Sequence, residues 1–218
     1  MAEEIKRKEK EAARIKKLVE DLYAKREANA GKSAPDGLGG ELREACCIDD
    51  FEVVRTIVDE WEGHALIDEV DIDGWSPIHW ACKKGSFECV KYILENTWIN
   101  EHETDRKKKK DVNLRIDLVD GEGQTLLMMA AISGNVDLVV YLISKGANKN
   151  LQNEDGFSAY LWAAYKGQLK VLKILEDKQV NTLLRTRGNL TALQVAIVGK
   201  NKECIEYLQH KHKETAEH

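Results

Sequence analysis

One spacing governs what this chain can fold into. Leu127, Tyr160 and Leu193 occupy the same position of a recurring segment and stand 33 residues apart. A fixed period of this size marks a repeat architecture, in which each unit is one supersecondary element stacked on the next. Three segments share the pattern: "DGWSPIHWACKKGSFECVKYILE" from Asp73, "GEGQTLLMMAAISGNVDLVVYLIS" from Gly121 and "EDGFSAYLWAAYKGQLKVLKILE" from Glu154. A further copy, "GNLTALQVAIVGKNKECIEYLQ", starts at Gly188, and a weaker one, "GELREACCIDDFEVVRTIVDE", starts at Gly40.

The grammar of the unit follows from its residues. Asp-Gly before Trp75 and Phe157, and Glu122-Gly123, supply turn residues that tolerate a positive backbone angle. Ser76, Thr125, Ser158 and Thr191 stand where a hydroxyl caps a first helix. Inside that helix the small pairs Ala81-Cys82, Ala130-Ala131 and Ala163-Ala164 permit close approach of neighbouring helices. Gly85, Gly134 and Gly167 predict left-handed caps that end it. A second helix follows, with apolar residues at helical spacing, as in Val139, Val140, Leu142 and Ile143. No unit buries its apolar faces alone, so stacking is obligatory.

The pattern resembles the ankyrin repeat, whose signature is Thr-Pro-Leu-His, then two alanines, then glycine. The resemblance spans about residues 39 to 212 in about five copies. It implies an all-α solenoid of helix-turn-helix repeats joined by β-hairpin-like turns. Only "SPIH" at Ser76 to His79 approaches the signature; Arg43, Met128, Leu161 and Gln194 hold the histidine position elsewhere. Apolar packing is therefore expected to replace most of the family's imidazole and hydroxyl network. Asp49 and Lys200 replace the breaker glycine in the first and last copies, where atypical capping repeats are expected.

The expected organisation has four parts: a charged, coiled-coil-like amphipathic helix at 1–28, a glycine-rich linker at 29–40, the repeat domain at 41–212 and a tail at 213–218. Ala12, Ile15, Val19 and Leu22 form a seam of barely two heptads, which Lys8 interrupts. Within the repeats, Leu127 lies 49 residues beyond Ile78 rather than 33, so an inserted loop is expected at about 97–118. The basic run "DRKKKK" falls inside it. Glu101, Glu103, Asp105, Asp111 and Asp117 nearly offset Arg106, its four lysines and Arg115 within a Debye length of about 8 Å. A solvated insertion, a docking site for an acidic partner and a nuclear address are the three readings of that run.

A formal net charge of -5 argues against a general nucleic-acid binder. No apolar run approaches the roughly 18 residues that cross a bilayer, and the N-terminus has no signal core, so a cytoplasmic protein is expected. Five cysteines without paired C-x-x-C spacing predict buried thiols rather than disulfides or zinc. "AGKS" at Ala30 lacks the glycine and the strand of a phosphate-binding loop. His210 and His212 are too close together to share one helical face. No nucleophile, base and acid fall together in the register, so no enzyme, metal or cofactor is expected.

The resemblance implies that a partner takes the concave surface made by the hairpin tips and the outer side of the first helices. Carried over by position, the tips are Trp75, Gln124, Phe157 and Leu190. The residues after the histidine position are Trp80, Met129, Trp162 and Val195. The pairs before the breaker are Lys83-Lys84, Ile132-Ser133, Tyr165-Lys166 and Val198-Gly199. An apolar stripe across four repeats, edged with lysine, is larger than a soluble monomer usually exposes. Three occupants suit it: a partner protein, the side chains' own neighbours, or the N-terminal helix folded back.

The expected function is non-enzymatic protein recognition, as an adaptor or a structural subunit of a larger hetero-complex, cytoskeletal, ciliary or nuclear settings included. A regulatory subunit that blocks an enzyme's active site is the alternative, and a nucleic-acid or nuclear-targeted adaptor acting through the basic loop the third. Because lengthening a flexible loop costs only about 0.6 kcal/mol per doubling, replacing residues 101–112 by a short Gly-Ser link should leave Tm within a few degrees. Loss of cooperative unfolding in that variant would make the segment structural.

Overall fold

The computed structural model describes residues 38–60, 66, 69–96 and 116–214. The expected N-terminal helix, the linker up to residue 37, the basic run and residues 215–218 lie outside the described residues. The described chain is all-α, a solenoid of paired helices. They are α1 (Leu38–Ile48) and α2 (Phe51–Glu60), α3 (Pro77–Lys84) and α4 (Phe87–Asn96), and α5 (Leu126–Ser133) and α6 (Val136–Ser144). Then come α7 (Ala159–Lys166) and α8 (Leu169–Asp177), and α9 (Ala192–Val198) and α10 (Lys202–Glu214). Helix α1 begins inside the segment expected as linker, and Ile116, at the end of the expected insertion, is fully buried.

The first helices pack in sequence order, α1 on α3, α3 on α5, α5 on α7 and α7 on α9. Ala81, Cys82, Ala130, Ala131, Ala163 and Ala164 are all fully buried between them. Small side chains there bring the backbones close and leave nothing to hydrate. Helices α5 and α7 start on a side-chain cap: Thr125 Oγ1 accepts from the Met128 amide at 3.3 Å and Ser158 Oγ from the Leu161 amide at 3.3 Å. In α3 the His79 Nδ1 lies 2.7 Å from Ser76 Oγ. In α9 the carboxamide of Gln194 takes that place, its Oε1 accepting from the Thr191 amide at 2.9 Å. The polar network is therefore kept in the last repeat, where apolar packing was expected. Met128 and Leu161 are buried as expected.

Helix ends are left-handed, and not only at glycine. Gly85, Gly134 and Gly167 have φ of 80°, 80° and 76°, while Asp49 and Lys200 adopt φ of 62° and 59° with a side chain attached. An αL conformation costs a non-glycine residue about 1–2 kcal/mol, so the stack holds both end repeats against strain.

Three ladders tie repeat to repeat, each built from one register position. At the hairpin tips the Gly121 amide donates to the Asp73 carbonyl at 3.1 Å, Glu154 to Glu122 at 3.2 Å and Arg187 to Asp155 at 2.8 Å. Gly74 and Gly156 make this approach possible, since a Cβ there would meet the Gly121 and Arg187 nitrogens at 2.7 and 2.6 Å. Behind each breaker an amide side chain reaches the preceding repeat: Asn135 to the Gly85 carbonyl at 2.7 Å, Gln168 to Ile132 at 3.2 Å and Asn201 to Tyr165 at 2.5 Å. On the outer face Tyr92 donates to Asp59, Tyr141 to Glu95 at 3.2 Å and Tyr207 to Glu176 at 2.6 Å. Ile174 takes the tyrosine's place between repeats three and four, so that junction relies on apolar contact, the other two ladders, the Lys149 bond to the Lys178 carbonyl and the Asn181 amide donating to Asn150 Oδ1 at 2.8 Å.

The four cysteines Cys46, Cys82, Cys89 and Cys204 are buried, and Cys47 partly so; all five are free thiols. Burial raises the pKa of Cys46, Cys82 and Cys204, and pushes Cys89 up to about 12. They stay protonated at neutral pH and pack as small hydrophobes.

Glu176 anchors the last repeat. Its carboxylate accepts from Tyr160 at 2.5 Å, from Tyr207 at 2.6 Å and from Lys211. Burial alone would raise its pKa; the bonds from Lys211, Tyr160 and Tyr207 outweigh burial and hold it below the ordinary value. A depressed folded-state pKa gives stability that is complete above the unfolded value, about 4.3, and is lost as pH falls from there through the folded value. Glu176→Gln should cost about 1–3 kcal/mol at pH 7. It should also flatten the stability loss below that unfolded value, as read by urea unfolding at several pH values. An unchanged acid limb would contradict this role for Glu176.

Candidate partner-binding surface

The concave side is built from the first helices and the hairpins that precede them. One residue organises each hairpin. Asp71, Asp120, Asn153 and Thr186 share a register position, and each side-chain oxygen accepts from the tip. Asp71 Oδ1 takes the Trp75 amide at 2.8 Å, Asp120 Oδ1 the Gln124 amide at 2.8 Å, and Asn153 Oδ1 the Phe157 amide at 2.7 Å. These bonds aim the tip side chains back over the helix that follows. The signal was present in the sequence as Asp, Asn or Thr two residues before each tip dipeptide, a spacing that reads as an Asx-type turn.

Two aromatic clusters result. In repeat two the Trp75 and Trp80 rings lie 4.8 Å apart, and the Lys83 ammonium sits 4.1 Å from the Trp75 ring and 5.2 Å from Trp80. In repeat four Phe157 and Trp162 are 4.5 Å apart and Trp162 and Tyr165 5.7 Å, with Lys166 5.3 Å from the Tyr165 ring. Cation–π contacts of this kind contribute about 0.5–1 kcal/mol at exposed sites. All five rings are half-buried, as are Ile132 and Leu190; Lys83, Lys84 and Lys166 are exposed.

Two of the sequence-expected contacts lie inside the molecule. Met129 and Val195 are each only 1% exposed, so neither forms part of the accessible surface. Their row reads Trp80, Met129, Trp162, Val195, a large side chain alternating with a smaller one. By register the indoles neighbour Met129 on both sides and Val195 on one. Gln124 is buried as well, its Nε2 donating to Glu122 at 2.6 Å. The surface is therefore two aromatic clusters joined by Ile132, not one continuous stripe. Val198, in the row of Lys83, Ile132 and Tyr165, is 60% exposed and extends the apolar surface into the last repeat.

The two indoles differ in a way that sequence alone hides. Trp80 Nε1 donates to Asp71 Oδ2 at 2.9 Å. This bond, with the backbone donors of Trp75 and Asp73, holds the Asp71 carboxyl below its ordinary pKa against the opposing effect of desolvation. Trp162 Nε1 is buried with no partner among the described residues. Its counterpart of Asp71 is Asn153, whose oxygen is taken by the hairpin and whose remaining group is itself a donor.

His79 is the repeat's structural histidine, 1% exposed. Burial lowers its pKa, opposed by Asp120 and the Leu118 backbone, so it is neutral near pH 7. Among the described residues no group of three or more His, Cys, Asp and Glu is placed to hold a metal ion. No described helix is long and apolar enough to cross a membrane.

A family model described as ankyrin repeats (3 copies) matches residues 12–106, 42–153, 107–186 and 127–217. The chain belongs to the ankyrin-repeat family. Among its relatives, mouse ankyrin repeat and SAM domain-containing protein 6 is 30% identical over 122 residues, 56% of this chain and 12% of that protein. The E3 ubiquitin-protein ligase KEG of Arabidopsis thaliana is 32% identical over 164 residues, 71% of this chain and 9% of its own. The palmitoyltransferase AKR1 of Lachancea kluyveri is 26% identical over 137 residues, 61% of this chain and 16% of its own. The chain thus spans a small part of each relative. Ankyrin-repeat domains are generally non-catalytic protein-interaction modules, and repeats are what this chain displays.

Asn153→Asp should give Trp162 Nε1 the acceptor that Asp71 gives Trp80, stabilising the fold by about 1 kcal/mol. A double-mutant cycle with Trp162→Phe checks the cause, because the gain should vanish when the donor is removed. A gain that survives Trp162→Phe would assign it to something else.

Proposed function

We propose that this ankyrin-repeat chain is a non-catalytic adaptor, or a structural subunit of a hetero-complex, that recognises a partner protein on its concave face. The observation that carries the reading is the pair of half-buried aromatic clusters, Trp75 with Trp80 and Phe157 with Trp162 and Tyr165, each beside exposed lysine. Rings held at fixed tilts by hairpin bonds present large apolar area with few rotors left to freeze, the character of an interface hot spot. Self-packing accounts for the buried half of each ring and leaves the exposed half without a role.

The relatives support a binding role over a chemical one. A ubiquitin ligase and a palmitoyltransferase share with this chain a stretch that is 9% and 16% of their own lengths. What they have in common with it is the repeat. The proposed setting is cytoplasmic, the partner a protein, and the proposal includes neither a cofactor nor a nucleic-acid or membrane ligand.

The test is affinity capture from cells with the full chain, Trp162→Ala/Tyr165→Ala, and Lys91→Ala/Lys170→Ala on the second helices. Truncating an anchor commonly costs about 2 kcal/mol or more, some 30-fold in affinity. The captured set should disappear with the aromatic variant, checked for folding by its melting curve, and persist with the lysine variant. Retention by the folded aromatic variant would remove the concave face from the reading.

A further inference from the structure

The concave face is electrically polarised across its short dimension. At the hairpin edge stand the exposed carboxylates Asp73, Glu122, Glu154 and Asp155, until Arg187 in the last repeat. At the other edge, in the last turns of the first helices, stand Lys83, Lys84 and Lys166, all exposed. Helix α3 has 8 residues, about 12 Å at 1.5 Å per residue. That exceeds the Debye length of about 8 Å at physiological salt, so the two edges act on a ligand separately.

The lysine edge lacks counter-ions among the described residues. Four cations elsewhere pair with carboxylates, Lys145 with Glu95, Lys211 with Glu176, Arg43 with Glu69 and Arg55 with Asp59, while others such as Lys170 and Lys202 do not among the described residues. Among the described residues Lys83, Lys84 and Lys166 meet no carboxylate, and Lys83 and Lys166 lie over the rings of the two clusters. Each ammonium therefore extends the aromatic surface and keeps its charge available beside it. The negative end of each helix dipole favours cations there.

We infer that the partner binds through an acidic, anchor-bearing segment: apolar or aromatic side chains set between the Trp75–Trp80 and Phe157–Tyr165 clusters, with Asp or Glu flanking them on the side over Lys83, Lys84 and Lys166. This rests on the concave face being the binding surface, and adds the polarity of what binds. The opposite polarity brings carboxylates over Asp73, Glu122 and Asp155 and is repelled. A nucleic acid fits less well, because a polyanion long enough to cross the band meets those carboxylates.

The probe is a phage-displayed library of random 16-residue linear peptides, selected on the full chain at physiological salt. Recovered peptides should pair bulky apolar residues with clustered Asp or Glu on one side. Their affinity should fall at least ten-fold for Lys83→Glu/Lys84→Glu/Lys166→Glu, and stay level or rise for Asp73→Asn/Glu122→Gln/Asp155→Asn. All these side chains are exposed, so the variants should fold, the lysine variant melting somewhat lower for want of its ring contacts. No recovered peptide, no acidic enrichment, or less than a two-fold effect of the lysine changes overturns the inference. So does displacement of the peptides by a single-stranded oligonucleotide at equal charge. Tighter peptide binding once residues 1–30 are deleted would make this chain's own N-terminus the occupant instead. Selected peptides that ignore both the lysine changes and Trp162→Ala/Tyr165→Ala would overturn the concave-face reading as well. Peptides that need the aromatics but not the lysines sink only the polarity.

Discussion

Everything in this molecule depends on the close approach of consecutive first helices. Ala81-Cys82, Ala130-Ala131 and Ala163-Ala164 are fully buried where one helix meets the next. A larger side chain there would separate the backbones and break the bonds that cross each junction. The hairpin bonds from Gly121 to Asp73 and from Arg187 to Asp155 demand that spacing, as do the reaches of Asn135 and Asn201. Stability is accordingly a sum of junctions, each joining only neighbours. The junctions are unequal. Repeats four and five are bound by Glu176 with Tyr207, whereas repeats three and four carry Ile174 in place of that tyrosine.

The same spacing makes the concave face. Because the hairpins are fixed by Asp71, Asp120, Asn153 and Thr186, their tip side chains fold back over the helices rather than projecting into water. Trp75 and Phe157 then meet Trp80 and Trp162 as preset pairs. Lysines at the helix ends rest on the rings instead of pairing with acids. Structure and binding surface are thus consequences of one register, the first through its small positions and the second through its large ones.

Much of this was legible in the sequence, because period and capping are local. The helix pairs, the hydroxyl caps, the small-residue contacts and the rows of the concave face follow from counting in units of 33 residues. What escaped was the difference in burial along a row. Met129 and Val195 share a row with the half-buried indoles Trp80 and Trp162 and are themselves buried. Asp49 and Lys200 looked like lost breakers, yet both adopt the left-handed angle under the pressure of their neighbours. Gln194 standing in for a histidine, and Asn153 leaving Trp162 without its acceptor, required geometry between groups that no one-dimensional pattern contains.

The central claim is that the first helices, not the second, meet the partner. A photo-reactive amino acid placed in the full chain inside cells tests it without knowing that partner. Two rows of equivalent positions serve: Lys83, Ile132, Tyr165 and Val198 on the first helices, and Lys91, Val140, Lys173 and Glu206 on the second. The account predicts covalent adducts from the first row and none from the second. Adducts arising from the second row alone would contradict it.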